Sequence, residues 1–436
     1  FLSKNHCFCI AGKKMRVIII ALIFALATGI LGLAIPKKYA GHQVLKIHLK
    51  TEKDVEIFKE INSLLRLDIW RSPKKLPGTA DVRVSPTQKE ALLNVFGQHS
   101  IGHEMMIDDL QSKIDAEKAE LQKRTVFKVG DHPNLITTNQ YHNLSEIHAY
   151  LDSVGSTYSN MVTVGSIGKS YQGNDLKYVK IGKAGTNKKA VFINGCVHAR
   201  EWLACATMVY IINELTANAA QYDDLLTNLD IYVLPVLNPD GYVYSWNSDR
   251  MWRKTRTGPR QGCYGVDANR NWNFKWGVAG SSTNPCDETY DGPSPNSEME
   301  VQAITSFLGA NNSTIVSYFD IHTYSEDFMY PYGYAEVYPN DVTKIRKIAG
   351  DATTAINSVN GEGFIYGSIT DIIYPASGSS IDYTKGLLNI DYSYAMELRP
   401  DGNSWDGFVL PPSQIVPGAS ECWAGVQVVF RAAYSN

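Results

Sequence analysis

Over residues 133–436, short apolar runs alternate with helical segments. Strands are predicted at 162–167, 177–181, 190–194, 229–234, 315–321 and 392–398. Helices are predicted at 145–154, 201–217, 297–309, 341–357 and 413–433. Such alternation defines an α/β domain, a central mixed β-sheet flanked by helices. Ligands gather at the carboxyl ends of the strands in sheets of this kind.

The 436 residues allow two or three domains. A composition of 44% hydrophobic and 19% charged residues excludes a disordered chain, a collagen-like fibre and a long coiled coil. The formal charge of −3 lacks the basic excess of a dedicated nucleic-acid binder. That charge divides unevenly. Residues 1–40 carry six basic and no acidic residues, 41–124 carry 14 basic and 13 acidic, and 125–436 carry 21 basic and 31 acidic.

Residues 1–40 read as upstream sequence plus a secretory signal peptide. Arg16 precedes 19 uncharged, mostly apolar residues, Val17 to Ile35, with Met15 as the expected start and small-residue cleavage sites after Ala27 or Ala34. An uncleaved signal anchor is the competing reading, since 19 residues could span a bilayer. In both cases the remainder is exported, disulfides become permitted, and no other segment is apolar enough to cross a membrane. Residues 41–124 form a small α+β module with strands predicted at 42–49, 67–70, 79–84 and 104–111, and helices at 52–65 and 87–97. A polar helix at 110–122 then ends in Lys123-Arg124, an expected cleavage site for a trypsin-like protease. A solvated helix end with cations favoured by the dipole is the plainer alternative.

The chemistry concentrates where strands end. The run Ala190 to Trp202 leaves a strand and enters a helix, carrying His198 and Glu201 three residues apart. Histidine nitrogen and carboxylate oxygen are zinc ligands, and a catalytic zinc site uses three protein ligands plus water. An H-x-x-E pair alone is weak evidence. However, only His198 and His322 occur in the last 288 residues, and His322 also ends an apolar strand. Two satisfied core histidines remain the bland alternative. Glu397 lies within another apolar strand, where an unpaired carboxylate is costly, and the i, i+2 spacing to Arg399 does not require a salt bridge. Six of nine Arg from residue 125 onward fall between 200 and 270, and Arg binds carboxylates bidentately. Together these predict an anionic substrate group or charged transition state, with Arg256 and Arg260 assigned to a solvated loop.

Ordered blocks then become recognisable: His198-Ala-Arg-Glu-Trp, Asn238-Pro-Asp-Gly-Tyr, Arg250-Met-Trp-Arg-Lys-Thr-Arg, Gly265-Val-Asp-Ala-Asn-Arg-Asn-Trp, Ser325 to Gly333, Tyr374-Pro-Ala-Ser-Gly and Glu397-Leu-Arg. With these, residues 133–436 resemble the zinc carboxypeptidases of the pancreatic A/B type. The amino-terminal module resembles that family's activation segment, an open sandwich of antiparallel strands and two helices. The resemblance implies one zinc ion held by His198, Glu201 and His322, with Asp267 orienting His198. It implies Glu397 as general base and Arg253 as oxyanion donor. Asn269, Arg270 and Tyr374 would grip the terminal carboxylate of a peptide or protein substrate, with Arg200 further along the peptide. The activation segment would inhibit the enzyme until cleavage at Arg124.

In relatives that prefer basic residues, an acidic group sits seven positions after the carboxylate-binding Tyr. Ile381 occupies that position here, which implies an A-type preference for aromatic or aliphatic C-termini. Ser379, Ala395 and Met329 depart from the usual pattern and bear on pocket width, and Asp371 would argue the other way if it entered the pocket. Cys263 and Cys286 match the family's disulfide, while Cys196, Cys205 and Cys422 are expected to be buried thiols. Sequons occur at Asn143, Asn311 and Asn312. The expectation is therefore a secreted zinc metallocarboxypeptidase made as a zymogen. A basic-preferring (B-type) member and an inactive peptide-binding relative are the alternatives. A serine hydrolase is disfavoured because no G-x-S-x-G elbow occurs.

Overall fold

The computed structural model describes residues 36–73, 75–124 and 136–435. The predicted signal run and residues 125–135 lie outside them. The amino-terminal module is built from β1 (Gln43–Leu49), α1 (Glu52–Leu65), β2 (Asp68–Arg71), β3 (Gly78–Val84), α2 (Pro86–His99), β4 (His103–Ile107) and α3 (Leu110–Lys123). Its antiparallel sheet has the order β2-β3-β1-β4. Local sequence sets the helix starts. Thr51 with Asp54 and Ser85 with Gln88 form capping boxes, each satisfying two backbone N–H groups that would otherwise lack partners. Phe58, Ile61, Leu92 and Phe96 of α1 and α2 pack with Leu45, Ile47, Val82 and Val84 of the sheet.

The large domain continues with α4 (Leu144–Thr157), β5 (Val162–Lys169), β6 (Asp175–Ile181), β7 (Lys189–Gly195), α5 (Trp202–Ala217), α6 (Asp223–Asn228), β8 (Leu229–Leu234), α7 (Pro239–Asn247) and α8 (Met299–Ala310). It ends with β9 (Ile315–Thr323), β10 (Asp327–Tyr330), α9 (Val342–Asn360), β11 (Ile365–Ser368), α10 (Ile369–Ile372), α11 (Ser380–Gly386), β12 (Tyr392–Leu398) and α12 (Ile415–Ser435). Eight strands form one mixed sheet, ordered β11-β10-β12-β9-β7-β8-β6-β5. The central strands β7, β9, β8 and β12 run parallel. They are covered on both faces, so apolar residues occupy both sides: Val191 and Ile193 join one core, Phe192 the other. Helix α5 is apolar around most of its circumference because it is buried among the sheet and α12.

The two units meet over an extensive polar and aromatic contact. Tyr39, near the end of the expected leader segment, is buried with its hydroxyl on Asp249. Among the described residues no helix is long and apolar enough to cross a membrane.

Candidate active site

The strand that precedes His198 ends at Gly195, and α5 begins only at Trp202. His198 and Glu201 therefore sit on the connecting turn. Glu201 is the N-cap residue, but its side chain makes no cap hydrogen bond and faces the site. Cys196 and Cys205 are joined in a disulfide across this turn, Cα atoms 5.3 Å apart. This corrects the expectation of two buried thiols. One cysteine at the strand outlet and the other in the first turns of the next helix come within bridging range once the chain reverses. Both His198 and Glu201 lie inside the closed loop. Cys263–Cys286 is bonded as the resemblance implied, and Cys422 is a buried thiol.

The central register brings the rest together. His322 on β9 pairs with Glu397 on β12, and Glu397 pairs on its other side with Asp327 on β10. His198 Nδ1 lies 2.8 Å from Glu201 Oε1, and His322 Nδ1 lies 3.1 Å from Glu201 Oε2. The two Nδ1 atoms are 3.2 Å apart. All three residues are buried, and their ligand atoms lie within 4.8 Å of one another.

This donor set fits zinc. Two imidazole nitrogens and a carboxylate converge, and the far nitrogen of each ring meets a carboxylate. His198 Nε2 is 3.0 Å from Asp267 Oδ1, and His322 Nε2 is 3.2 Å from Asp320 Oδ2. Protons placed on the Nε2 atoms leave both Nδ1 lone pairs facing each other, an arrangement that a cation between them relieves.

Around this cluster the charges are fixed by pairing. Arg253 donates to Asp267 Oδ2 from Nη2 at 2.8 Å, and its Nη1 is 3.8 Å from Glu201. Burial opposes ionisation of Asp267, but Arg253 and then His198 outweigh it and hold its pKa well below the usual range. Glu397 is the opposite case. Burial, reinforced by Glu201 and Asp327, pushes its pKa up to about 8 against the pull of His322 and Arg253. Its Oε2 has no hydrogen-bond partner among the described residues.

Arg270 Nη2 lies 3.3 Å from the Tyr374 hydroxyl, at the other wall of the same cleft. Asn269 Oδ1 accepts from the Ser380 N–H at 2.9 Å, which leaves its amide nitrogen turned toward His322. Gly378 has φ +67°, and a Cβ there would meet the Arg270 carbonyl oxygen at 2.3 Å, so only glycine allows this close crossing. Ile381 is fully buried and lines the cleft with Met329, Ile369, Ile373 and Ala395. Asp371 does not line it. Its carboxylate accepts from Tyr338 Oη at 2.8 Å and caps α10.

Arg200 is held by the amino-terminal module. Its Nη1 donates to Asp68 Oδ1 and Oδ2 at 2.9 and 3.1 Å, and its guanidinium lies over Phe408. Asp68 also accepts from Arg83 and from Trp70 Nε1, and Trp70 itself enters the cleft. Asp81 accepts from Tyr324 Oη at 2.8 Å, and Glu117 pairs with Arg250 at 2.6 and 3.0 Å. Arg256, expected in a solvated loop, is half-buried over the rings of Tyr244 and Trp252. At the end of α3, Lys123 is exposed but Arg124 is not. Arg124 donates to both oxygens of Glu146 at 2.6 and 2.8 Å and lies over Trp246.

Sequence reasoning missed Asp320, Asp68, Asp81 and Glu117. Asp320 had a local signal, because it stands two residues before His322 and shares its strand face. The other three act across sequence separations of 132 to 243 residues, and no local pattern marks them.

A metal-binding triad beside a buried carboxylate, at the outlet of a mixed sheet, defines a metal-dependent hydrolase. A zinc carboxypeptidase family model matches residues 147–425, and a carboxypeptidase activation peptide model matches residues 45–117. The chain belongs to the zinc carboxypeptidase family. Carboxypeptidase A1 of Mus musculus is 37% identical over 423 residues, covering 95% of this chain and 97% of the relative. Carboxypeptidase B of Astacus astacus is 43% identical over 291 residues, 66% of this chain and 95% of the relative. A crystal structure of carboxypeptidase A from Helicoverpa armigera superposes with a TM-score of 0.84 at 30% identity, covering 91% of this chain and 98% of that one. The protein is a zinc-dependent metallocarboxypeptidase that carries its own activation domain.

Proposed function

We propose that this enzyme, once freed of residues 41–124, removes aromatic or aliphatic residues from the C-termini of peptides and proteins. The convergence of the His198–Glu201–His322 set, Glu397, Arg270 and Ile381 on one cleft supports this reading most directly. His198, Glu201 and His322 would hold the zinc. Bound there, the ion supplies Lewis acidity to the scissile carbonyl and to a water.

Arg270, Tyr374 and the Asn269 amide grip the terminal carboxylate, which restricts cleavage to the last peptide bond. Ile381, with Met329 and Ala395, forms an apolar floor that cannot compensate a buried cation. Glu397, which lines the cleft with its Oε2 unpartnered among the described residues, takes a proton from the attacking water and returns it to the leaving amine. Arg253, fixed by Asp267, donates to the oxygen that gains charge, a contribution of about 3–4 kcal/mol per donor in comparable sites.

The activation domain blocks this cleft by inserting Trp70 and by occupying Arg200 with Asp68. Activation follows cleavage after Arg124 by a trypsin-like protease. The basic and apolar leader, with the Cys263–Cys286 and Cys196–Cys205 bonds, supports export to an extracellular site.

The test is hydrolysis of peptides ending in Phe or Arg before and after trypsin treatment, with and without chelator. The reading expects chelator-sensitive release of Phe after trypsin. Release of Arg in preference to Phe would reverse the specificity assignment, and a Glu397→Ala variant with full activity would remove Glu397 from the chemistry.

A further inference from the structure

A buried carboxylate on β9 remains outside the roles assigned so far. Asp320 is fully buried, two residues before His322, and strand alternation places both side chains on one face of the sheet. Its Oδ2 lies 3.2 Å from His322 Nε2 and accepts from Ser380 Oγ at 2.5 Å. Its Oδ1 accepts from Asn194 Nδ2 at 2.8 Å. Asn194 stands directly opposite on β7, and Ser380 opens α11 just before Ile381. The carboxylate is thus fixed from the sheet on one side and from the pocket helix on the other.

We propose that Asp320 is a positioning residue for His322, the counterpart of Asp267 for His198. This rests on the zinc reading above. The argument is one of tautomers. His322 has a carboxylate at Nε2 and the convergent donor cluster at Nδ1. A proton on Nε2 satisfies Asp320 and leaves the Nδ1 lone pair for a metal; a proton on Nδ1 does neither. The same assignment explains Asn269. With Nε2 acting as a donor, the Asn269 amide nitrogen 3.2 Å away has no acceptor on the ring, so it remains available to a substrate carboxylate. Ser380 extends the connection. Its hydroxyl fixes Asp320 while its N–H fixes Asn269, so one residue of α11 aligns a metal ligand and the carboxylate grip.

The test compares zinc affinity of the full chain, by competition with a chromophoric chelator, for wild type, Asp320→Asn, Ser380→Ala and Asp267→Asn. An amide at 320 offers one acceptor oxygen where the native carboxylate meets three donors. Asp320→Asn should therefore weaken zinc binding about 10–100-fold, the range for lost outer partners of metal ligands, and Asp267→Asn should fall in the same range. Ser380→Ala, which frees Oδ2 without removing it, should weaken binding by a smaller factor while leaving thermal unfolding close to wild type. If Asp320→Asn does not fold, Ser380→Ala carries the test alone. A lower unfolding temperature with zinc affinity within twofold of wild type, in whichever variants fold, would overturn the positioning role and leave Asp320 as packing. Absence of zinc binding by the wild-type chain would instead refute the metal site itself.

Discussion

Arg124 is the expected activation site, yet its side chain is only 10% exposed. A trypsin-like protease must withdraw this guanidinium into its own pocket. In the zymogen that means breaking a bidentate contact with Glu146 and lifting the group from Trp246. Hydrogen bonds to charged partners contribute about 1.5–3 kcal/mol, and a cation over an aromatic face about 0.5–1 kcal/mol. An opening free energy of about 2–3 kcal/mol leaves the scissile residue available about 0.7–4% of the time. The perturbation is Glu146→Gln. Glutamine at this third helical position still accepts from the Asn143 N–H, as Glu146 does at 3.1 Å, so the start of α4 is retained. Loss of the charge should remove about 1.4 kcal/mol of the clamp, and cleavage at low protease should accelerate about tenfold. The assay is a time course with limiting trypsin, read by intact mass so that pro-segments ending at Lys123 and Arg124 are distinguished. Equal rates for wild type and variant, with the cut after Arg124 in both, would refute the clamp. Cleavage after the exposed Lys123 in both would show that the protease bypasses it.

Three further outcomes follow from the same geometry. Ile381→Asp should shift preference from Phe toward Arg, because a carboxylate on the pocket floor compensates the cation; the ratio of kcat/KM for matched peptides measures it. Asp68→Ala leaves the Arg200 charge buried without its partner, a loss of about 3–5 kcal/mol at the interface, and should raise peptide hydrolysis by the uncleaved chain. The Asp68 carboxyl is desolvated, but Arg200 and Arg83 outweigh burial and depress its pKa below the ordinary carboxylate range. Its contribution is therefore complete above about pH 4 and is lost as pH falls through the depressed value. The difference in zymogen melting temperature between wild type and Asp68→Asn should be constant from about pH 5 to 8 and shrink only under stronger acid.

The parts legible in the sequence were those whose cause is local. Apolar runs at 190–194, 229–234 and 392–398 became strands because both of their faces are covered. Strands β10 and β11 were missed because four residues carry no period; β2, equally short, was legible from the Ser72-Pro73 turn that follows it. His198 and His322 stood out because they follow or end apolar strands, Glu201 by its spacing from His198, and Glu397 because a carboxylate within an apolar strand needs a reason. Arg200 and Arg250 stood out as a cationic cluster, but not what occupies them. Asp68, Asp81 and Glu117 lie in a module of net charge +1 and look like ordinary solvated acids until the fold brings them against Arg200, Tyr324 and Arg250 of the large domain.

That placement bears on how latency ends. The catalytic domain is acidic overall, with 31 acidic against 21 basic residues from 125 onward, so long-range attraction to the weakly basic module is modest. The interface combines an apolar cluster, in which Trp70, Met106 and Leu110 pack with Met251, Tyr324 and Phe408, with buried pairs whose attraction is largely offset by desolvation of both partners. The pairs add little net affinity, although each is costly to break from one side only. While residues 124 and 136 belong to one chain, the linker keeps the module at high effective concentration, and a modest interface suffices. On the proposed activation, cleavage after Arg124 would remove that advantage without altering a contact in the cleft. Asp68, Asp81 and Glu117 would then leave together, both members of every pair would regain water, and Arg200 would be released from Asp68. A latch of matched buried charges under a covalent tether is thus sensitive to the loss of either partner and weak against dilution, so that a single proteolytic event can release it.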